Sequence, residues 1–228
     1  MTFGEKIIRF NNSLDFTGTL PSGIRIMNPF RESAEANTIA ANFYHRFYND
    51  NKQRKIILGI NPGRFGAGIT GIPFTDTKRL KEYHHTELTN VKTHEPSAVF
   101  VYEVIMAYGG LEKFYGDFYI SSVCPLGFTK MGPKGELNYN YYDSKDLIDA
   151  VYDLIVDSLQ KQLQFGLNTD VAFCLGTGKN VAFLEKLNNK FHFFKKIQPL
   201  EHPRFVMQYK SKTKHEYVEK YVKLLEDQ

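Results

Sequence analysis

The sequence predicts an α/β fold, a three-layer α/β/α sandwich around a central, mostly parallel sheet of four strands. Three observations lead to this prediction. Four short apolar runs have the length of buried strands, and segments with apolar residues at helical spacing lie between them. Glycine-rich or polar loops follow several of these runs. Alternating strands and helices of these lengths are typical of a parallel sheet that helices cover on both faces.

The first half of the chain supplies helices and a strand around a glycine-rich loop. After a turn-rich stretch, residues 33–49 carry apolar side chains at helical spacing, which predicts a helix. The isoleucine-rich run KIILGI at 55–60 predicts a buried strand. It leads into the loop NPGRFGAGITGIPF at 61–74, whose glycines and prolines interrupt regular structure. A further helix is predicted at 97–108, where two glycines end it.

The second half continues the alternation. The run FYISSVCPL at 118–126 predicts a strand that ends at a proline, and 143–163 has the clearest helical register. The run DVAFCL at 170–175 predicts a third strand, followed by the turn GTGKN and a helix to about residue 188. A weaker strand is predicted at 193–200. The last helix is predicted to begin at Thr213, with Glu216 at capping-box spacing.

Composition limits the class of protein. The 228 residues are 42% apolar and 14% aromatic, which is enough for one sizeable core and excludes a disordered chain. We therefore expect one domain over residues 1–228. No run of 18 apolar residues and no apolar leader is present, so we expect neither a membrane span nor secretion, and a cytoplasmic location. Cys124 and Cys174 lie in apolar runs, so we expect buried thiols rather than a disulfide framework.

The positive charge is concentrated near the end of the chain. Residues 1–169 contain 18 Lys and Arg and 18 Asp and Glu, whereas residues 170–228 contain 11 against 7, a net charge of +4. A basic bias of this size fits an ordinary solvated surface, and it also fits a surface that meets phosphates.

Two glycine-rich loops invite comparison with nucleotide-binding motifs. GTGKN at 176–180 fails as a phosphate loop, because Phe173 replaces the first glycine and Asn180 replaces the Ser or Thr that would hold Mg²⁺. We interpret it as a tight strand-to-helix turn. The loop at 59–74 differs, because its glycines allow close backbone approach and stand beside an amide and two aromatic rings. That combination suits a flat heterocycle, although turns alone can also explain the glycines.

No metal or cofactor is predicted. The segment 82–95 contains three histidines and three glutamates, but their spacing matches no closed zinc site, and a solvated polar segment explains it better. The residues concerned are His84, His85, His94, Glu82, Glu87 and Glu95.

Several motifs resemble one family. GINPGRFGAGITGIPF at 59–74 resembles the first motif of the single-strand-selective monofunctional uracil-DNA glycosylases, G-x-N-P-G-x-F-G followed by T-G-x-P-F. PSGIRIMNPF at 21–30 also looks like that family, SVCPL at 122–126 resembles its central strand, and EHPR at 201–204 resembles its His-Pro motif. The resemblance covers most of residues 20–205 and implies a uracil-DNA glycosylase-like fold. Its departures indicate a divergent bacterial subgroup.

The resemblance implies roles for individual residues. Asn61 corresponds to the asparagine that positions the attacking water, Phe74 to the phenylalanine that stacks on the base, and His202 to the histidine that stabilises the departing base. A carboxamide has no useful basicity, so Asn61 can orient a water but cannot deprotonate it. The full set of expected substrate contacts is Gly59, Ile60, Gly63, Phe65, Phe74 and Ser122.

Two departures from the family pattern affect specificity and DNA contact. Ser122 stands where the family has a base-reading asparagine, and a rotatable hydroxyl is a more permissive reader than an amide. The family's His-Pro-Ser-Pro-Arg segment is shortened to His-Pro-Arg. The segment RFVMQYKSKTK that follows combines cations with apolar side chains, as DNA wedges do, or it is an ordinary basic loop. The expected DNA contacts are Arg204, Phe205, Met207, Lys210 and Lys212.

These observations predict a monofunctional DNA glycosylase. The enzyme would flip a deaminated base out of DNA, hydrolyse its N-glycosidic bond and leave an abasic site, with uracil accepted and xanthine or hypoxanthine accepted as well. No lysine replaces the water-positioning residue, so a lyase step is not expected. Two alternatives stay open: a catalytically inactive nucleic-acid-binding module and a hydrolase of free nucleosides. The expected partner is DNA containing deaminated bases, and the expected state is a monomer.

Overall fold

The computed structural model describes residues 1–227, and its centre is a four-stranded parallel sheet with strand order β3-β2-β6-β7. The predicted α/β class and the four-stranded sheet are confirmed, and every pairing within this sheet is parallel. The elements are α1 (Phe3–Ser13), β1 (Ile24–Met27), α2 (Pro29–Glu32), α3 (Ala34–Phe47), β2 (Lys55–Gly59), α4 (Ala67–Thr70), α5 (Thr77–His84), α6 (Pro96–Tyr108), α7 (Leu111–Asp117), β3 (Phe118–Ser122), β4 (Gly127–Gly132), β5 (Gly135–Tyr139), α8 (Lys145–Leu163), β6 (Val171–Leu175), α9 (Lys179–Phe191), β7 (Lys196–Leu200), α10 (Pro203–Tyr209), a 3₁₀ turn (Ser211–Thr213) and α11 (Lys214–Glu226).

The register of the parallel sheet aligns the ends of its strands. Gly59 pairs with Ser122, and Leu175 pairs with Leu200, so the four strands finish at one edge. Ladder hydrogen bonds continue past this edge, where the amide of Val123 donates to the Gly59 carbonyl at 2.9 Å. The segments that follow the strands therefore begin side by side, which is where parallel α/β sheets place their ligand sites.

Helices pack against the sheet, α7 on β3 and α9 on β6 and β7, and α8 shows how the sequence builds a helix with an apolar face. In α8, the Ser144 hydroxyl caps the helix by accepting from the Leu147 amide. Leu147, Val151 and Ile155 then recur every four residues and are fully buried. Buried side chains from the helices and strands form one hydrophobic cluster. Within residues 1–227, no helix is long and apolar enough to cross a membrane.

A second sheet, absent from the sequence prediction, is antiparallel and has the order β1-β4-β5. The run 118–126 was expected as one strand, but β3 ends at Ser122 and the chain turns before β4 begins at Gly127. The hairpin between β4 and β5 closes at Gly135, whose φ of +110° favours glycine. These short strands have mixed polarity and are only partly buried, so periodicity does not reveal them.

Three helical features also differ from the expectations. The first helix, α1, lies in a stretch with no assigned element, and the Thr2–Glu5 capping box starts it. Residues 203–209 form α10 rather than part of a loop. The capping box expected at Thr213 is wrong, because Thr213 ends a 3₁₀ turn with ψ of 20° and its side chain makes no capping bond. An N-cap normally needs extended backbone to aim its oxygen at the helix.

Candidate active site

A cleft of about 300 Å³ lies where the strands of the parallel sheet end. This volume is at the small end of the range of about 300–1,000 Å³ for small-molecule sites. The glycine-rich loop, the start of α6, the segment after β5 and helix α10 form its walls. The lining residues are Ile60, Asn61, Pro62, Gly63, Ala67, Pro73, Phe74, Glu95, Ser97, Ser122, Asn138, Asn140, Tyr142, His202, Arg204, Phe205, Gln208 and Tyr209.

Asn61 follows β2 by two residues, and backbone groups on the segment after β5 hold its side chain. The amide of Tyr141 donates to Asn61 Oδ1 at 3.1 Å, and Asn61 Nδ2 approaches the Tyr139 carbonyl at 3.4 Å. A carbonyl oxygen has two lone pairs, so Oδ1 keeps one acceptor position beyond the Tyr141 bond. The orientation of the amide is therefore set by the backbone and leaves an acceptor for a ligand or water.

The GTGKN turn contributes to this arrangement through Asn180. Its side chain is buried, and Nδ2 donates to the Leu175 carbonyl at 3.0 Å and, more weakly, to the Gly59 carbonyl at 3.4 Å. Its Oδ1 accepts from the Tyr141 hydroxyl at 2.8 Å. Asn180 thus joins the ends of β2 and β6 to the residue that orients Asn61. Asn180 is one of the two residues that break the phosphate-loop motif, and here its side chain holds the strand ends together.

His202 follows β7 by two residues and is the N-cap of α10. Its Nδ1 accepts from the Arg204 amide at 3.1 Å, so the proton of the neutral ring is on Nε2. Burial, and then the Arg204 guanidinium, lower the pKa of His202 to about 4. Near neutral pH the ring is uncharged, and Nε2–H is the donor it offers to a ligand in the cleft.

Phe74 has a left-handed backbone with φ of 51°, which is unusual for a residue with a large side chain. Its ring centroid lies 6.2 Å from that of His202, at an interplanar angle of 54°. A Cβ at Gly59 would lie 3.4 Å from the Phe74 ring, so the end of β2 packs directly beneath it. Backbone strain of about 1–2 kcal/mol is commonly retained at functional sites, where surrounding contacts enforce the conformation.

The cleft brings together most, but not all, of the residues named from the sequence. Asn61, Ile60, Gly63, Phe74, Ser122, His202, Arg204 and Phe205 line it. Gly59 lies under Phe74 instead of in the cleft. Phe65 is 40% exposed, packs against the Arg64 guanidinium at 3.9 Å and lies outside the cleft.

The expected DNA contacts divide in a similar way. Met207, also expected to contact DNA, is partly buried and packs against the hydrophobic core, and it does not line the cleft. Lys210 and Lys212 are exposed beyond the end of α10, outside the cleft. At the rim, Phe205 and the 66% exposed Tyr209 pack together with ring centroids 5.5 Å apart. Because α10 is helical, residues 205 and 209 share one face and 207 faces inward.

The interpretation of Glu95 as part of a solvated polar segment is wrong, because its Oε2 is buried and the residue lines the cleft. Other cleft residues are also absent from the predicted site. They come from the hairpin, from the start of α6 and from the far end of α10: Asn138, Asn140, Tyr142, Ser97, Gln208 and Tyr209. Asn138 also fastens the glycine-rich loop, since its Oδ1 accepts from the Arg64 amide at 2.9 Å. The hairpin folds back on the loop from more than 70 residues away in sequence. No local pattern could have signalled that contact.

The thiols and the histidines outside the cleft have structural surroundings. Burial raises the pKa of both Cys124 and Cys174 to about 12, which makes them unreactive. The His84 Nε2 lies 2.6 Å from the Tyr102 hydroxyl, inside an aromatic cluster. Across the described part of the chain, no three His, Cys, Asp or Glu side chains are grouped to hold a metal ion.

An amide, a neutral imidazole and an aromatic ring line one cleft at the edge of a parallel α/β sheet, where enzymes of this fold class bind their ligands. The family model of the uracil DNA glycosylase superfamily matches residues 45–226. The chain therefore belongs to this superfamily, and it is a DNA glycosylase, a hydrolase of N-glycosyl bonds.

A solved structure shows which subgroup of the superfamily this chain resembles. The wild-type SMUG2 of Pedobacter heparinus is 56% identical to this chain, with a TM-score of 0.96, and the match covers 100% of this chain and 98% of that one. The predicted SMUG-like subgroup and the glycosylase-like fold are thereby confirmed. No curated protein matches the chain.

Proposed function

We propose that this uracil-DNA glycosylase also removes hypoxanthine and xanthine from DNA, after the damaged nucleotide has been flipped into the cleft. One observation carries the proposal: four side chains from three separate segments line a single cleft. They are Asn61 and Phe74 from the glycine-rich loop, Ser122 from the end of β3 and His202 from the segment after β7. Flipping costs a few kcal/mol, and stacking on an aromatic ring contributes about 1–3 kcal/mol. Phe74 is the ring for that contact.

Departure of the base is the step that the side chains assist most. As the C1′–N bond breaks, the sugar becomes oxocarbenium-like and negative charge gathers on the base oxygens. The Nε2–H of His202 donates to that charge, and because the ring is neutral it does so without itself carrying a positive charge. A preorganised donor of this kind commonly contributes about 10²–10³ in rate. Asn61 orients the water that then bonds to C1′.

The breadth of substrates follows from Ser122. An asparagine amide presents a fixed donor and a fixed acceptor, whereas a hydroxyl rotates and serves as either. Uracil, hypoxanthine and xanthine differ in the edge that they present, so a rotatable reader accepts all three. The free-nucleoside alternative is disfavoured by the cationic and aromatic rim that α10 provides, with Arg204, Phe205 and Tyr209 at the cleft.

The same proposal covers how DNA is held. Phe205 and Tyr209 fill the gap that the extruded base leaves, while Arg204 and the exposed Lys210 and Lys212 contact phosphates. We further propose a monomer that acts in the cytoplasm, where bacterial DNA is found. Light scattering of the purified protein tests the monomer, since a dimer has twice its mass of 26.3 kDa.

A base-panel assay tests this function. Oligonucleotides with one uracil, hypoxanthine, xanthine or thymine are incubated with enzyme and then cleaved by alkali at abasic sites. We expect cleavage at the first three bases and none at thymine, with Asn61→Ala and His202→Ala at least about 100-fold slower. Exposed Asn12→Ala and His45→Ala are the matched controls. Activity confined to uracil would disprove the broad range, and unimpaired variants would disprove the residue roles.

A further inference from the structure

Glu95 is the carboxyl group among the residues that line the cleft. It stands immediately before α6 and makes no side-chain capping bond to that helix. Its Oε2 is buried and has no hydrogen-bond partner within the described chain. A buried carboxylate oxygen without a partner is costly, so such groups in a cleft mark sites where a ligand or a reaction uses them.

The glycine-rich loop is shaped to accommodate this carboxyl group. A Cβ at Gly66 would lie 2.2 Å from Glu95 Oε2 and would displace the carboxyl group from its present position, and a Cβ at Gly63 would lie 3.1 Å from Oε1. Two glycines of the motif thus clear the space that Glu95 occupies. Gly63 is two residues from Asn61, so the carboxyl group lies against the loop that presents the water-orienting amide.

The other candidates for accepting a proton in the cleft are unsuitable. Asn61 is a carboxamide and has no useful basicity. The Nδ1 of His202 is already occupied by the Arg204 amide, and Nε2 carries the proton. Burial raises the pKa of Tyr142 to about 12, so its hydroxyl is protonated near neutral pH. Hydrolysis nevertheless releases one proton from water for each bond broken.

Within the proposed function, on which this inference rests, we propose that Glu95 is the general base of the reaction. The C1′–N bond breaks and its electron pair leaves with the base, whose oxygen His202 hydrogen-bonds. A water held by Asn61 then forms the C1′–O bond and gives a proton to the Glu95 carboxylate. That proton subsequently passes to the departed base anion or to solvent, so Glu95 is ionised again.

The charges facing Glu95 suit this role. Burial, and then the Asp76 carboxylate, raise the pKa of Glu95 to about 7, while the Arg204 guanidinium on α10 opposes the rise. The Glu95 backbone amide donates to Asp76 Oδ2 at 2.6 Å, so the Asp76 carboxylate lies beside the Glu95 backbone. The Arg79 guanidinium lies 3.2 Å from Asp76 Oδ2 and partly neutralises that carboxylate, and His94 Nδ1 lies 3.5 Å from the same oxygen. A base is most effective when its pKa lies near the working pH.

Single-turnover rates on a uracil oligonucleotide, measured at saturating enzyme from pH 5.5 to 8.5, test the proposal. The ionised form is the active one, so the wild-type rate should fall as pH drops below about 7, approaching tenfold per unit. Glu95→Gln should be about 100-fold slower at pH 8 and should lose this pH dependence. Glu95→Asp keeps a carboxylate, so it should recover part of the rate and should again lose rate as the pH drops below about 7. Glu112→Gln, at an exposed residue outside the cleft, is the matched control.

Each outcome decides between the claims. A wild-type enzyme that cleaves no uracil overturns the proposed function and the role of Glu95 with it. If the wild type is active and Glu95→Gln keeps both its rate and the fall in rate at low pH, the role of Glu95 is overturned and the proposed function stands. The role of Glu95 is also overturned if Glu95→Gln binds DNA more weakly but, at saturating enzyme, still loses rate at low pH. Glu95 would then act by contacting the base and not by accepting a proton. Thermal unfolding at pH 8 checks that Glu95→Gln is folded. Its melting temperature should not be lower than that of the wild type, because the substitution removes a buried charge that has no partner.

Discussion

Asn180 offers a test of how the cleft is held in shape, because its side chain connects three separate segments. Replacing it by alanine removes the bond to the Leu175 carbonyl at 3.0 Å and the acceptor for the Tyr141 hydroxyl at 2.8 Å. The contact with the Gly59 carbonyl, at 3.4 Å, is long and contributes little. Both Asn180 and Tyr141 are at most 1% exposed, so water cannot replace the lost partners.

The cost follows from these numbers. Two well-formed buried hydrogen bonds are lost, and a buried group left without a partner costs about 1–3 kcal/mol. We therefore expect Asn180→Ala to lower the free energy of unfolding by about 2–4 kcal/mol. For a chain of this size, 1 kcal/mol shifts the melting temperature by about 2–4 °C, so the expected drop is on the order of 10 °C. The catalytic rate should fall about 10- to 100-fold, because Tyr141 no longer holds Asn61 in place.

A double-mutant cycle with Tyr141→Phe separates the hydrogen bond between Asn180 and Tyr141 from the packing of their side chains. Tyr141→Phe keeps the ring against Phe183, whose centroid lies 5.0 Å away, and removes only the hydroxyl. Both single variants break the same bond, so the double variant should be less destabilised than the sum by about 0.5–3 kcal/mol. Urea unfolding gives the energies and single-turnover cleavage gives the rates, with exposed Asn12→Ala as control. The role of Asn180 would be refuted if the destabilisations of the two single variants added fully in the double variant. It would also be refuted if Asn180→Ala were as stable and as active as the wild type.

Three further predictions concern pH, specificity and DNA affinity. The lowered pKa of His202 means that the unfolded chain takes up a proton more readily, so stability should be lost as pH falls from about 6.5 through about 4. The loss should reach about 3 kcal/mol at most, and comparing urea midpoints of wild type and His202→Ala isolates it. Ser122→Asn should lower excision of hypoxanthine and xanthine relative to uracil by at least about tenfold, roughly the effect of one hydrogen bond, and equal rates in the base panel would count against it. Removing the charges of Lys210 and Lys212 should reduce the slope of log affinity against log salt by about 1–2, and an unchanged slope would exclude these residues as phosphate contacts.

Much of the fold is encoded in patterns that act over short distances. The isoleucine-rich run before Asn61 and the four-residue spacing of Leu147, Val151 and Ile155 specify a buried strand and a helix through local burial alone. The antiparallel sheet was missed because its strands are short and half exposed, so burial imposes no clear alternation on them. Helix α10 was missed because the basic residues beyond it suggested a loop.

The sequence by itself determined the strand-end positions of Asn61, Ser122 and His202, since residues that follow parallel strands must emerge at one edge of a sheet. Only the tertiary structure decided the tautomer of His202, which depends on a backbone amide that α10 turns toward Nδ1. It also decided that Glu95 joins the cleft, because its carboxyl group, from a segment about 30 residues further along the chain, packs against Gly63 and Gly66. Hydrogen-bond partners and burial come from chain segments far apart in sequence, and local patterns carry no record of them.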